Sequence, residues 1–346
     1  MNNTGCGMTS TERFDRTIAR QEVDRPARWL GIPDERALPG LFSFFGVSGV
    51  VELRQKLGDD LFPVELPYDS PYSKAIYNAF DFQGSGKASQ ERTLTRPGYF
   101  TIEAGAEEVD SFDWPEPERY IDPAACERAV AAVPGGKAVL GVLWSAHFQD
   151  TCAAFGMENA FIAMYDNPAG YEMVNNRILD FYLRANRVFY ENTKGRLNAV
   201  LIGNDMGSQL GLMLSVDAIR RFVIPGARAL IDQAHSYGVK VIYHSCGSIR
   251  DIIDDLIKAG ADAIHPIQAL AAGMEPASLK RDFGDRVSFC GGVDAQNLLI
   301  HGKPAMIREK VAELRRIFPT GLVISPSHEA ILPDIPPVNI EYLFAS

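Results

Sequence analysis

The sequence predicts an α/β chain of the TIM (β/α)8 barrel class, with a helical and hairpin extension at its N-terminus. Three observations predict it. Eight short, continuous apolar runs recur along the 346 residues, and the later ones alternate with amphipathic helical patterns. The length suits one such barrel carrying insertions, so a single domain over 1–346 is expected. No G-x-G-x-x-G follows an early strand, as an open dinucleotide-binding sheet would require.

Taken in order, Thr9–Arg20 reads as an opening helix capped by Ser10 or Thr11 and broken by Arg25-Pro26. Ala27–Ile32 reads as a first buried strand, Gly46–Leu57 as a helix, and Asp60–Leu66 as a second strand. Residues 68–134 read as an insertion near one end of the barrel, with a hairpin suggested by Tyr99–Glu103. Six further strands follow at Ala138–Leu143, Ala199–Ile202, Lys240–Tyr243, Ala263–His265, Val287–Cys290 and Leu322–Ser325. Between and after them, helices are expected at Gly156–Tyr165, Ala169–Thr193, Val216–Tyr237, Ile249–Ala259, Pro276–Phe283, Pro304–Phe318 and beyond Pro337. Residues 1–8 read as a disordered lead, and Met8 offers an alternative start.

Composition excludes several classes. Lys and Arg total 34 against 44 Asp and Glu, a net charge of −10, so no basic stripe for nucleic acid is expected. The five cysteines are odd in number and scattered, which argues against a secreted disulfide framework. No basic start with an apolar run is seen, and no stretch approaches ~18 unbroken apolar residues. A cytoplasmic protein without membrane association is the expectation, and a homodimer is compatible with it.

Barrel enzymes carry their chemistry at the C-terminal ends of the strands. That rule selects Asn204, Asp205 and Gln209 after the fourth strand, and His244 and Cys246 after the fifth. It selects His265 and Gln268 after the sixth, Cys290, Asp294 and Gln296 around the seventh, and His328 and Glu329 after the eighth. Three of the six histidines fall in these tips, which random scatter would seldom produce. His244 and Cys246 are the sharpest pair, because residues two apart on an extended chain face the same side. An imidazole and a thiolate there suit zinc, with His328 or Cys290 as third ligand and Glu329 as a further oxygen. The alternative is a packed thiol and a backbone-bonded imidazole. Asp205 suits a general base or an orienting group, or else a loop carboxylate. Asp294 and Gln296 follow Gly291-Gly292, where a ligand can approach the backbone, or where a helix cap begins. Gln209, His265, Gln268, Gln296 and Asn204 would offer substrate contacts. His147, after the third strand, is placed to reach the mouth.

At these tips the chain resembles the uroporphyrinogen-decarboxylase-like superfamily. The segments that carry it are Tyr243–Ile252 (YHSCGSIRDI), Val287–Gln296 (VSFCGGVDAQ), Ile324–Asn339 (ISPSHEAILPDIPPVN) and Gly203–Gln209 (GNDMGSQ). The resemblance runs from Thr9 to Phe344 and implies a TIM barrel with its cleft at the C-terminal mouth. One branch decarboxylates uroporphyrinogen without a cofactor and grips it with an arginine-rich loop. Here that loop reads Leu30-Gly31-Ile32-Pro33-Asp34-Glu35-Arg36, with acids in place of the arginine pair. The other branch contains zinc methyltransferases that exchange methyl groups with a corrinoid protein, and it carries His-x-Cys on one strand. His244 and Cys246 match that motif, and the branch's further cysteine falls at His328. The resemblance therefore implies a zinc methyltransferase. Its methyl group would move between methylcobalamin on a partner protein and a thiol, tetrahydrofolate or a methylated small molecule. His244, Cys246 and His328 would hold the metal, and Asp205, Asp294 and His328 would act in catalysis. The alternative it implies is a cofactor-free decarboxylase of another carboxylate.

Overall fold

The computed structural model describes residues 7–88 and 94–345. Residues 1–6 of the expected lead, Cys6 included, therefore lie outside the described residues. Gly7 and Met8 are described, and the Met8 N–H donates to Asp24.

Ten strands occur in chain order: β1 Ala27–Arg28, β2 Ile32–Pro33, β3 Leu61–Glu65, β4 Ala138–Trp144 and β5 Ala199–Gly203. They continue as β6 Lys240–His244, β7 Ala263–Ile267, β8 Ser288–Val293, β9 Leu322–Pro326 and β10 Ala330–Ile331. Eight form one sheet in the order β1-β9-β8-β7-β6-β5-β4-β3, and each of its ladders is parallel. The two ends of that order meet at Asp60. Its N–H donates to the Arg28 carbonyl, and its carboxylate accepts the Arg28 N–H, each at 3.0 Å. Arg13 and Arg25 hold the same carboxylate, which is fully buried. The sheet thus closes as the barrel the apolar runs predict.

Strand alternation divides the core in two. Trp29, Leu61, Leu140, Leu201, Ile242, Ala263, Cys290 and Val323 fill the barrel interior. Their chain neighbours Val139, Val200, Val241, Ile264, Phe289 and Ile324 pack outward on the helices. The helix Ser10–Ile18 plugs the base with Phe14 and Ile18. Its cap is Thr9, whose side chain accepts the Glu12 N–H, and not Ser10 or Thr11. One step up the inner face lie Gly203, His244, His265 and Ser325, and two steps up on their strands lie Glu65 and Trp144.

Several expected elements differ. Gly31, with φ +82°, splits the first run into β1 and β2, and a Cβ there would meet the Glu329 carbonyl at 2.3 Å. β2 instead pairs in parallel with β10 as a small second sheet. Gly46, also left-handed, ends a helix at Leu38–Phe45, so the next helix begins at Val50. The run Val216–Tyr237 forms two helices, Val216–Phe222 and Ile224–Ser236, because Pro225 supplies no N–H to continue the first. A helix at His147–Phe155 was not foreseen. Tyr99–Glu103 forms no strand. Phe100 packs against Phe82, Phe112, Trp114 and Phe155, and its N–H donates to the Ala154 carbonyl. Those aromatics bury themselves against helices rather than pairing as a hairpin. Among the described residues, no helix is long and apolar enough to cross a membrane.

Candidate metal centre at the barrel mouth

Cys246 is the hub of the site. Its Sγ lies 3.5 Å from His244 Nε2, so the two residues converge as their spacing predicts. The Asp205 carboxylate, from the tip of β5, accepts the Cys246 N–H at 2.9 Å and lies 3.2 Å from His244 Nε2. Gln149 fixes Asp205 from the next tip, donating to its carboxylate at 3.2 Å and accepting its N–H at 3.0 Å. β5 can sit this close because residue 203 is glycine: a Cβ there would fall 2.0 Å from the His244 carbonyl.

His244 Nδ1 faces His265 Nδ1 at 2.8 Å, and Glu329 Oε2 stands 3.8 Å from it. His328 accepts the Ala330 N–H on Nδ1, which leaves its Nε2 free of the backbone. Three sets have their ligand atoms mutually within 4.8 Å: Asp205–His244–Cys246, His244–His265–Glu329 and Cys246–His328–Glu329. His244 and His328 each join Cys246, but the three do not close as one set. Glu329 bridges the two halves, and its Oε2 is buried with no hydrogen-bond partner among the described residues.

The charges interlock. Burial disfavours a charged His244, yet Cys246, Glu329 and Asp205 raise its pKa well above the ordinary imidazole value. Burial alone would raise the Asp205 carboxyl, but the hydrogen bond and charge of His244 hold it well below the usual range. Burial also works against the Cys246 thiolate, and His244 then His328 lower the thiol nonetheless. His265 is pushed well below the ordinary value by burial and by the charge of His244, so it stays neutral. His328 is raised, first by its hydrogen bond to Cys246. Three groups able to carry negative charge thus surround one imidazole, a setting that a bound cation neutralises.

This donor set fits zinc. It offers imidazole, thiolate and carboxylate on rigid strand ends, with an orphaned carboxylate oxygen waiting for a partner. His265 backs His244 from the rear, as outer-shell partners of metal-bound imidazoles do.

The other expected residues lie elsewhere. Cys290 sits one layer down in the barrel interior, fully buried, and burial pushes its thiol up to about 12. Its Sγ lies 3.4 Å from Ser325 Oγ, and it joins none of the three sets. Asp294 spends its carboxylate on the N–H groups of Gln296, Asn297 and Leu298 and so fixes the turn that leads into the helix Leu298–His301, and it joins none of the three sets. Asn204 is buried in the wall, accepting the Phe148 N–H and donating to the Tyr243 hydroxyl. Gln268 accepts the Gly247 N–H and so fixes the turn after Cys246. Gln209 and Gln296 are exposed on loops. His147 turns away from the mouth; it is fully buried, bonded to Asn175 and close against Gly226.

A cavity of about 660 Å³ opens over the centre. His244, Asp205 and Glu329 line it, together with Asp34, Glu35, Glu65, Tyr77, Trp144 and Gln149. Cys246 and His328 are not among its lining residues. Glu65 and Trp144 are the last residues of their strands, so the same tip rule, applied to the earlier strands, would have found them. Trp144 and Ser145 both have positive φ, 57° and 52°. Such a pair costs on the order of 1–3 kcal/mol per residue, and strain of that kind clusters at functional sites. Asn186 steadies the bend by donating to the Ser145 hydroxyl at 3.1 Å.

The model of the family Uroporphyrinogen decarboxylase (URO-D) matches residues 104–346. Among solved structures, a methyltransferase from Methanosarcina mazei aligns over 98% of both chains, with a TM-score of 0.71 and 14% identity. A Listeria monocytogenes protein described as a vitamin-B12 independent methionine synthase aligns over 93% of this chain and 96% of its own, at 11% identity and a TM-score of 0.45. The first likeness shows the shared fold, and the second carries no argument. No curated protein matches. The family match spans the strand tips that build this candidate centre, and it agrees with the sequence resemblance: the chain belongs to the uroporphyrinogen decarboxylase family.

Proposed function

We propose that this protein is a zinc-dependent methyltransferase that moves a methyl group between a corrinoid protein and a small molecule. The carrying observation is the junction of Cys246 Sγ, His244 Nε2 and Asp205 beside the unpartnered Glu329 oxygen, all facing or adjoining an open cavity. His244 and Cys246 would hold the metal, with Asp205, Glu329 and His328 as the remaining donors within reach. Bound zinc would supply Lewis acidity and keep a coordinated thiol ionised near neutral pH. The chain's own part is orientation. His265 holds the rear of His244, Gln149 holds Asp205, and Gln268 holds the turn of Cys246. Trp144 and Tyr77 line the cavity beside the centre, with the Trp144 ring 5.8 Å from that of His244.

The rival reading, a cofactor-free decarboxylase, finds less support. A polycarboxylate needs basic groups, and the lining contains no lysine or arginine among the described residues. Metal analysis of untagged protein separates the two. The methyltransferase reading expects one zinc per chain, lost in His244→Ala and Cys246→Ser with the fold retained by circular dichroism. Zinc-free wild-type protein that still turns over a carboxylate would support the rival.

A further inference from the structure

The cavity over the metal centre carries a charge pattern of its own. Five carboxylates line it: Asp34, Glu35, Glu65, Asp205 and Glu329. Asp205 and Glu329 face His244. Asp34 is already matched, since Arg36 donates to both of its oxygens. Glu35 and Glu65 have no basic or hydrogen-bonding partner among the described residues, although both line the cavity. Glu65 comes from the inner face of β3, so the barrel itself aims it into the mouth. Its side chain is exposed at the end of the strand, where it borders the open cavity.

Aromatic surface adds a second, independent feature. Trp144 is bent into the mouth by its left-handed backbone, with its ring 5.8 Å from that of His244, and Tyr77 lines the same space. Aromatic faces attract organic cations within ~6 Å of the ring centre, and more strongly when water is excluded. Carboxylates beside such faces select ammonium and sulfonium groups. An anionic substrate entering the same mouth would meet uncompensated like charge.

We infer that the small-molecule partner is a compact organic cation bearing a methyl group, a quaternary ammonium or sulfonium compound, held between Glu35, Glu65 and Trp144. This inference rests on the methyl-transfer reading of the site. The step balances without oxidant or reductant. The C–N or C–S bond breaks with its electron pair left on nitrogen or sulfur, and a neutral amine or thioether departs. The methyl carbon bonds to the lone pair of the nucleophile, the cobalt(I) of a corrinoid. A thioether product has lost the positive charge that held the substrate, and an amine product has lost it until it takes a proton from water.

The test is calorimetric titration of zinc-loaded, full-length protein with choline and with its uncharged isostere 3,3-dimethylbutan-1-ol. Choline is expected to bind at least about tenfold more tightly. Glu65→Gln and Glu35→Gln should each weaken choline by roughly three- to tenfold and leave the alcohol unchanged, with unaltered melting temperatures. Trp144→Leu should weaken choline as well. Equal binding of the two ligands, or choline affinity untouched in both glutamate variants, would overturn the inference. Zinc content is read on the same samples. Stoichiometric zinc without charge preference removes the cation inference and leaves the methyl-transfer reading standing. Charge preference in a protein that never takes zinc upholds the cation site and removes the methyl-transfer reading.

Discussion

Cys246 touches both halves of the rim cluster, with His244 and Asp205 on one side and His328 and Glu329 on the other. That position could be read from the sequence because parity along a strand and the tip rule act together. The same two rules, taken to the layer below, explain why Cys290 stays out of the site. Residue type alone could not separate Asp294 from Asp205, since each is a carboxylate in a loop after a strand. Only the three N–H groups around Asp294 decide its role. Asp294→Ala should therefore lose about 1–2 kcal/mol of stability in urea unfolding and keep its zinc. His147 gives a pH-dependent prediction. It is buried without exposure, and burial lowers its pKa to about 4 from an unfolded value near 6.5. As pH falls, the unfolded chain takes up this proton first. The contribution is whole above pH 6.5 and drains away until pH reaches about 4, a loss of roughly 3 kcal/mol. His147→Gln should flatten the pH dependence of unfolding in that window, whatever its effect on stability at pH 7.

Strands were more legible than the connections between them. A strand buried on both faces leaves an unbroken apolar run, and the six from β4 to β9 announced themselves this way. Helices Leu38–Phe45 and His147–Phe155 were hidden because they are short and lie close to other apolar stretches. The supposed hairpin failed because alternating aromatics fit a strand and a packed loop equally well; Phe100 and Phe112 went to the core. Glu65 and Trp144 were legible as the last residues of their strands. The Gly31 turn was not, because its significance depends on which strands neighbour one another once the barrel closes. That closure rests on Asp60, which is fully buried and accepts from Arg13, Arg25 and the Arg28 N–H. Asp60→Asn leaves two arginines facing a neutral amide. It should cost roughly 3–5 kcal/mol in urea unfolding, far more than removal of an exposed ion pair such as Arg128–Asp122.

Across the whole molecule, a barrel sealed below by the helix Ser10–Ile18 carries its titratable cluster at the opposite, open end. Net charge of −10 and an acid-lined mouth point the same way, toward positively charged ligands, metal ion included. A metal that binds the folded chain and not the unfolded one stabilises the fold in proportion to the logarithm of its saturation. Zinc should therefore raise the melting temperature of wild-type protein, chelation should lower it, and neither should move Cys246→Ser. The central claim is that side chains from separate strand tips share one ion through Cys246. X-ray absorption at the zinc edge of untagged full-length protein tests it most directly. The expected spectrum has one sulfur at ~2.3 Å and nitrogen or oxygen neighbours at ~2.0–2.1 Å, with the sulfur gone in Cys246→Ser. A wild-type spectrum without sulfur, or a sulfur that survives in that variant, would contradict it.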